Sequence, residues 1–334
     1  MRPTRLHREP LRAGTRVAGV GGYRSSRVIG NAEVAGPIDS SDEWIRERSG
    51  IIERRWARSD ETVVSMAAAA GTAALADAQV RADDVDLVIV ATASHPQPIP
   101  NAAAAVAALM GTTAAAAHDL GAACAGFSYG IAHASASITV GQAENVLVIG
   151  AERLSDFTNP RDRGTAFLFA DGAGAVLVTA SDRPQIGAPA WGSDGSLGDS
   201  ISMTSTIIES GLRGQPAPTI VMAGQTVFRW AVSEMARVAR LALERAGITA
   251  ADLGAFIPHQ ANQRITDALA RSLDLPDHVA VADDIRRMGN TSAASIPLAM
   301  CALRDAGRVE SEDWALLVGF GAGLTYSGQV VNIP

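Results

Sequence analysis

Val146-Leu147-Val148-Ile149-Gly150 is an apolar run closed by a glycine, and at an offset of 169 the chain carries a second such run, Ala315-Leu316-Leu317-Val318-Gly319. Asp84-Val85-Asp86-Leu87-Val88-Ile89 has its own counterpart in Asp252-Leu253-Gly254-Ala255-Phe256-Ile257, at an offset of 168. In each of these two an acidic residue leads into a mostly apolar strand. Two separate pairs that agree on nearly one half-chain offset indicate two similar α/β halves meeting near residue 180. Further apolar runs at Leu87–Val90 and Ala175–Val178 read as buried strands. Between the strands lie helices. After Cys124, the residues Phe127, Ile131, Ala134 and Ile138 share one helical face, and Gly141 stands where a C-terminal cap belongs. From Gly224 to Gly247, Val227, Trp230, Val238 and Leu241 do the same. Strands alternating with helices define α/β layers.

A chain of 334 residues exceeds the size at which one core keeps growing, which agrees with two halves on a large shared interface. The boundaries read as a basic N-terminal arm over 1–15, one half over 16–180 with the cysteine, and one over 181–334. The arm holds Arg2, Arg5, Arg8 and Arg12, followed by Arg16, and reads as a solvated terminus rather than a partner site. A net charge of −7 argues against nucleic-acid binding. All 28 basic residues are Arg; the absence of Lys excludes a Walker phosphate loop, a Schiff-base lysine and pyridoxal phosphate attachment. No apolar run reaches the roughly 18 residues of a membrane span, and the Arg-rich start lacks the apolar core of a signal peptide. The chain therefore reads as cytoplasmic, and its two cysteines, Cys124 and Cys301, as free thiols.

Asp119-Leu120-Gly121-Ala122-Ala123-Cys124-Ala125-Gly126-Phe127 places a cysteine among small residues where a strand hands over to a helix. The positive end of a helix lowers a thiol pKa and enlarges the nucleophilic thiolate fraction, which suits acyl transfer to sulfur. The plainer reading, a small buried hydrophobe, fits Cys301 inside Ile296-Pro297-Leu298-Ala299-Met300-Cys301-Ala302-Leu303. His259 follows the strand end Phe256-Ile257-Pro258, the edge where α/β sites are built. His95, His118, His133 and His278 read as structural or exposed, and nothing supports a metal cluster. Asn290 lies in Met288-Gly289-Asn290-Thr291-Ser292-Ala293-Ala294-Ser295 before an apolar helix, where capping alone would explain it. Gly319-Phe320-Gly321-Ala322-Gly323 follows a strand, but the next residues read as another strand, so the glycines belong to a strand-to-strand turn rather than a dinucleotide site.

Seven strings in register carry a resemblance: Asp42-Glu43-Trp44-Ile45, Arg48-Ser49-Gly50-Ile51, Ala122-Ala123-Cys124-Ala125-Gly126-Phe127, Asp162-Arg163-Gly164-Thr165, Asp171-Gly172-Ala173-Gly174-Ala175, Pro258-His259-Gln260-Ala261-Asn262 and Gly289-Asn290-Thr291-Ser292-Ala293-Ala294-Ser295. From about residue 16 to the C-terminus the chain resembles the β-ketoacyl-acyl carrier protein synthase III (ketosynthase III) family of the thiolase superfamily. The resemblance implies a thiolase-like α-β-α-β-α layered fold and a two-stage reaction. An acyl-CoA first acylates Cys124. Malonyl-acyl carrier protein then loses CO2 while His259 and Asn290 donate to the enolate oxygen, and the carbanion attacks the acyl carbon. Backbone N–H groups of Cys124 and Ala322 would form the oxyanion hole. No cofactor or metal is implied, acyl-CoA being a substrate, and because decarboxylation generates the carbanion that step needs no strong base.

The resemblance further implies that Trp44 and Arg163 sandwich the CoA adenine, that Arg48 lies near its phosphates, and that Gly224, Phe228 and Asn262 line the pantetheine tunnel. For Trp44 a core anchor is an equal alternative. Gln225, Met288 and Ile99 depart from the family pattern; Ile99 stands in an acyl-pocket loop where Phe is frequent, which points to a branched or medium-chain primer rather than acetyl-CoA. The loop is expected to serve the partner of a homodimer. Arg264 and Arg271 share one helix face, and Arg229, Arg237 and Arg240 another, as a docking surface for an acidic carrier protein or simply as solvated charge. An acyltransferase that delivers the acyl group to a hydroxyl or amine is the close alternative; a Cys hydrolase would not require Trp44 and Arg163, and a non-catalytic subunit would lack Cys124.

Overall fold

In the computed structural model, which describes residues 10–334 apart from 113 and 215, each of these apolar runs is a strand. One five-stranded sheet has the order β1 (Gly14–Arg24), β7 (Asp171–Ser181), β6 (Asn145–Arg153), β4 (Leu87–Ala91), β5 (Ala116–Leu120). The other has the order β12 (Ala280–Val281), β11 (Leu253–Pro258), β13 (Trp314–Gly321), β14 (Thr325–Asn332), β8 (Ala190–Ser193). In the first sheet β4 runs parallel to β5 and β6, and in the second β11 runs parallel to β12 and β13. The strands β7 and β14 then reverse direction. The sheets thus repeat one topology, as the half-chain offset requires. The offset extends to short turns that sequence alone does not show: Ala82–Asp84 matches Ala250–Asp252, and Ala123–Ala125 matches Ser292–Ala294. Small ribbons, β2 (Arg27–Gly30) with β3 (Glu53–Trp56) and β9 (Ile201–Met203) with β10 (Ile220–Met222), lie outside the sheets.

The helices are α1 (Asn31–Ala35), α2 (Asp42–Ser49), α3 (Val63–Ala78), α4 (Ala102–Met110), α5 (Gly126–Thr139), α6 (Ile207–Arg213), α7 (Gly224–Ala246), α8 (Gln263–Ser272), α9 (Ile285–Met288) and α10 (Ser295–Asp305). Successive strand residues point to opposite faces, and here both faces are covered. Val146 and Val148 join a central core with Phe127, Ile131, Ile296 and Met300, whereas Leu147 and Ile149 pack with Met66, Ala70 and Val106 on the outer side. In the other sheet Ala315 and Leu317 face the same central core, while Leu316 and Val318 face Met235, Ala239 and Leu269. The result is five layers: α3 and α4, a sheet, α5 and α10, the second sheet, α7 and α8. The central helices are buried from both sides, so the core belongs to neither half alone.

Of the arm expected over 1–15, Arg2, Arg5 and Arg8 lie outside the described residues. Arg12 is exposed, as expected, but tied down: its guanidinium pairs with Glu144 and its backbone N–H bonds Thr139 O at 2.9 Å. Strand β1 opens at Gly14, opposite Ser181, so the first half starts ahead of residue 16. As the edge of its sheet, β1 leaves Val17 with an outward N–H and C=O, and one side chain meets both. Asn332 Oδ1 accepts from Val17 N–H at 2.9 Å and Nδ2 donates to Val17 O at 3.0 Å, joining the two ends of the described chain.

Candidate active site

Cys124 lies in the turn Ala123–Ala125, between β5 and α5. Ala123 holds φ of 44°, a left-handed backbone that costs a residue with a Cβ about 1–2 kcal/mol. The end of β13 approaches the cysteine so closely that a Cβ on Gly321 would lie 2.8 Å from Cys124 N and 3.1 Å from its Sγ. The Thr325 hydroxyl sits 3.1 Å from both Ala122 O and Ala322 O, clamping the turn that carries Ala322 against the elbow that carries Cys124. The two backbone amides expected to hold an oxyanion are therefore on adjoining segments. The expectation that a helix end lowers the thiol pKa is overturned. Burial pushes Cys124 up to about 12; a hydrogen bond from Ser292 opposes this, and the Glu152 carboxylate adds to it. Cys124 is half-buried, and the cost of desolvating a thiolate there opposes the pull of the helix end.

His259 stands at the end of β11, its N–H bonded to Val318 O at 2.8 Å and its buried ring edge-on to Phe320 at 5.2 Å. Its Nδ1 is 2.7 Å from Oγ of Ser295, the first residue of α10. The same oxygen accepts from Gln260 N–H at 3.2 Å, and when its own proton is donated to Nδ1 the imidazole proton rests on Nε2. This assignment follows from the hydrogen-bond network. Burial pushes His259 down to about 3, which keeps the ring a neutral donor near pH 7. Asn290 is held by both backbone groups, to Leu168 O at 2.8 Å and from Ala170 N–H at 2.9 Å. Its Oδ1 accepts from Ser292 N–H at 2.9 Å, which leaves the NH2 group as the donor. Capping does not explain Asn290: α10 follows Ala294, and no side chain caps it. Cys124, His259 and Asn290 converge, because Ser292 N–H bonds Asn290, Ser295 of the same segment meets His259, and Phe320-Gly321 touches both His259 and Cys124.

A groove of about 620 Å³ brings together Trp44, Arg48, Arg163, Gly224, Phe228 and Asn262, all expected at a CoA site. The Trp44 ring packs edge-on to Phe167 at 5.3 Å and is covered by the Arg163 guanidinium at 4.9 Å, with Arg48 at 6.0 Å. Asn262 caps α8 and donates from Nδ2 to Arg48 O at 3.0 Å, so it shapes the groove through the backbone of α2. Leu168 lines the groove and accepts from Asn290, joining it to the trio. Of the arginines read as a docking surface, Arg229 and Arg264 border the groove, Arg264 stacking over Phe228 at 5.4 Å. Arg271 is exposed near the other end of α8, Arg237 pairs with Glu234, and Arg240 binds the Ser272 carbonyl. Ile99 is 86% exposed in the loop before α4 and is not among the groove residues.

Sequence reasoning passed over Ser292, Ser295, Thr325 and Glu152. A signal existed for Ser292: it is the half-chain counterpart of Ala123 and repeats its left-handed turn with φ of 49°.

A duplicated α/β fold with a cysteine elbow in one half, joined by His and Asn from the other, defines a condensing enzyme of the thiolase fold. The family model for 3-oxoacyl-[acyl-carrier-protein (ACP)] synthase III matches residues 118–195, and the model of its C-terminal part matches residues 243–333. A β-ketoacyl-[acyl-carrier-protein] synthase III of Streptomyces glaucescens is 53% identical over 322 residues, 96% of each chain. One from Tropheryma whipplei (strain Twist) is 46% identical over 322 residues, 96% of this chain and 99% of its own. Among solved structures, the priming β-ketosynthase from the R1128 polyketide biosynthetic pathway superposes with a TM-score of 0.96 at 43% identity, covering 99% of both chains. The 3-oxoacyl-[acyl-carrier-protein] synthase III from Aquifex aeolicus gives 0.88 at 39% identity, covering 96% of this chain and 100% of its own. The chain belongs to the 3-oxoacyl-[acyl-carrier-protein] synthase III family, as its seven motif strings anticipate.

Proposed function

We propose that the chain is an acyltransferase that opens fatty acid or polyketide synthesis, with Cys124 taking an acyl group from acyl-CoA and passing it to malonyl-acyl carrier protein by decarboxylative condensation. The observation that carries this reading is the pairing of a buried, neutral His259, held at Nδ1 by Ser295, with an Asn290 amide turned to donate. Two fixed neutral donors suit an enolate oxygen that develops charge as CO2 leaves. The same pair favours condensation over transfer to a hydroxyl or amine, which needs no enolate. Decarboxylation supplies the carbanion, so the scheme requires no resident cofactor or metal. The groove at Trp44 and Arg163 would receive CoA, with Arg163 swinging off the indole to admit the adenine. Arg229 and Arg264 would meet the acidic carrier protein at its rim.

The unpaired edge of β5, with exposed Ile99 and Leu109 beside it, supports a homodimer joined along this strand. Ile99 would then complete the partner's acyl pocket and select a primer other than acetyl. No helix among the described residues is long and apolar enough to cross a membrane, and soluble partners would place the reaction in the cytoplasm.

Intact-protein mass spectrometry after incubation with a panel of acyl-CoAs tests the reading. Cys124→Ala should lose the acyl adduct and Cys301→Ala should keep it. Asn290→Ala should lower condensation about 10²–10³-fold while leaving self-acylation within a few-fold. An adduct that persists on Cys124→Ala overturns the mechanism, and equal loss in both stages removes Asn290 from the enolate step.

A further inference from the structure

Arg54, in the short strand β3, is turned inward and is among the largest side chains that are fully buried. The oxygens that receive its guanidinium are neutral. Nη1 donates to Ile29 O at 3.2 Å, and Nη2 donates both to Asn31 Oδ1 at 2.6 Å and to Phe167 O at 3.0 Å. Burial draws the group down to about 10, against the through-space pull of Glu33 and Asp42, so it is charged at pH 7. Keeping a cation out of water beside neutral acceptors opposes folding, and an apolar side chain of like volume would avoid that cost. The reason for a guanidinium here lies in what its planar fork holds.

Asn31 passes the contact on, donating from Nδ2 to Asp42 Oδ1 at 2.7 Å and to Ile51 O at 2.8 Å. Asp42 opens α2, the helix of Trp44 and Arg48. Phe167 carries the ring that meets the Trp44 indole edge-on. One nitrogen, Nη2, therefore ties together the two segments that form the aromatic wall of the groove. The residues after Phe167 lead to Asn290. Leu168 O accepts from Asn290 N–H at 2.8 Å, Phe169 O accepts from Trp56 Nε1 at 3.2 Å, and Ala170 N–H donates to Asn290 O at 2.9 Å. Strand β3 thus gives two donors, Arg54 and Trp56, to the strip 167–170, and the strip frames the backbone of Asn290. The stem of Arg54 also lies beneath Gly289, where φ is 74° and a Cβ would stand 2.8 Å from the Arg54 Cβ.

We propose that Arg54 is a positioning residue that joins the two ends of the site, setting Trp44 for acyl-CoA through Asn31 and Asp42, and setting Asn290 for the enolate through the strip 167–170. The inference rests on the proposed function, in which the groove takes CoA and Asn290 serves the second stage. Arg54 does not line the groove, and its hydrogen bonds go to segments other than the Cys124 elbow. Loosening it should therefore weaken acyl-CoA binding and slow condensation while sparing the attack of Cys124 on bound acyl-CoA.

The test measures, on the whole chain, KM for acyl-CoA, the rate of Cys124 acylation at saturating acyl-CoA and the rate of condensation with malonyl-acyl carrier protein, with thermal melting to verify folding. Arg54→Lys keeps the charge but not the fork; KM for acyl-CoA should rise and condensation fall, each about tenfold, with saturated acylation within about twofold of wild type. Asn31→Asp keeps an acceptor for Arg54 but sets a carboxylate against Asp42, so it should raise KM alone, by about fivefold. Trp56→Phe keeps a ring but leaves Phe169 O without its donor, so it should slow condensation alone, by about threefold. If Arg54→Lys does not fold, the other two variants decide. Losses that fall equally on acylation and condensation, or wild-type kinetics in both Asn31→Asp and Trp56→Phe, overturn the proposal. Failure of the wild type itself to form an acyl adduct would instead reject the proposed function.

Discussion

Ser295 decides what His259 can do. A Ser295 hydroxyl that donates to Nδ1 holds the imidazole proton on Nε2, and only that form offers a donor to the enolate of the proposed reaction. Ser295→Ala should therefore lower condensation about tenfold or more and leave Cys124 acylation unchanged, with Ser295→Thr restoring most of the loss. An acylation defect as large as the condensation defect would make Ser295 a packing residue. Cys124, His259 and Asn290 were legible because each residue type stands in a string whose chemistry is local. Their supports were not. Leu168, which holds Asn290, lies in the opposite half of the sequence, and no local pattern announces that the fold will bring the two together. The thiol pKa was misread for a related reason: sequence shows a helix end but not the exclusion of water around it.

At the scale of elements, the long helix read from Gly224 to Gly247 is α7, ended by Gly247 at φ of 70°. Its core face keeps Val227 and Val238, as expected, and extends beyond them. Trp230 and Leu241 are only half-buried, while Ala231, Met235, Ala239 and Ala242 make the closest packing, since small residues let the helix lie near β14, where a Cβ on Gly328 would be 3.0 Å from Val238. Alanine carries little weight in a hydrophobic pattern, although it permits the tightest approach. The groove is lined by α2, α7, α8 and residues 163–168, and under the proposed function its Trp44 side would meet CoA and its Arg264 side the carrier protein. Arg163→Ala, which removes the cover of Trp44, should raise KM for acyl-CoA about fivefold to tenfold and spare the carrier protein. Arg264→Glu should raise KM for malonyl-carrier protein in a salt-dependent way and spare Cys124 acylation. If both substitutions affect both substrates equally, the groove has no such division.

Across the whole molecule, the half-chain offset foretold the repeat but not how the halves interlock. Gly319 of the second half admits the elbow of the first, where a Cβ would lie 3.2 Å from Ala125 Cα. Gly150, its counterpart in the first half, admits the elbow of the second, where a Cβ would lie 2.2 Å from Ala293 O. Each half thus seats the other's turn, and the central helices share one core. Calorimetry should show a single cooperative transition, and Asn332→Ala, which strips Val17 of both partners, should lower the midpoint of that one transition by about 1–3 kcal/mol of stability. Two resolved transitions would show that the halves unfold separately.

The bond between Val17 and Asn332 also has a meaning in time. A ribosome adds about 5–20 residues per second, so roughly 10–40 s separate the emergence of α5 from that of Asn332. Throughout that interval the inner faces of the first sheet and of α5 lack the strands that cover them, and the outward groups of Val17 have no partner. A nascent chain of this protein is therefore committed to waiting with an apolar layer open to water. Its yield in a cell depends on what shields that layer until translation has passed residue 332.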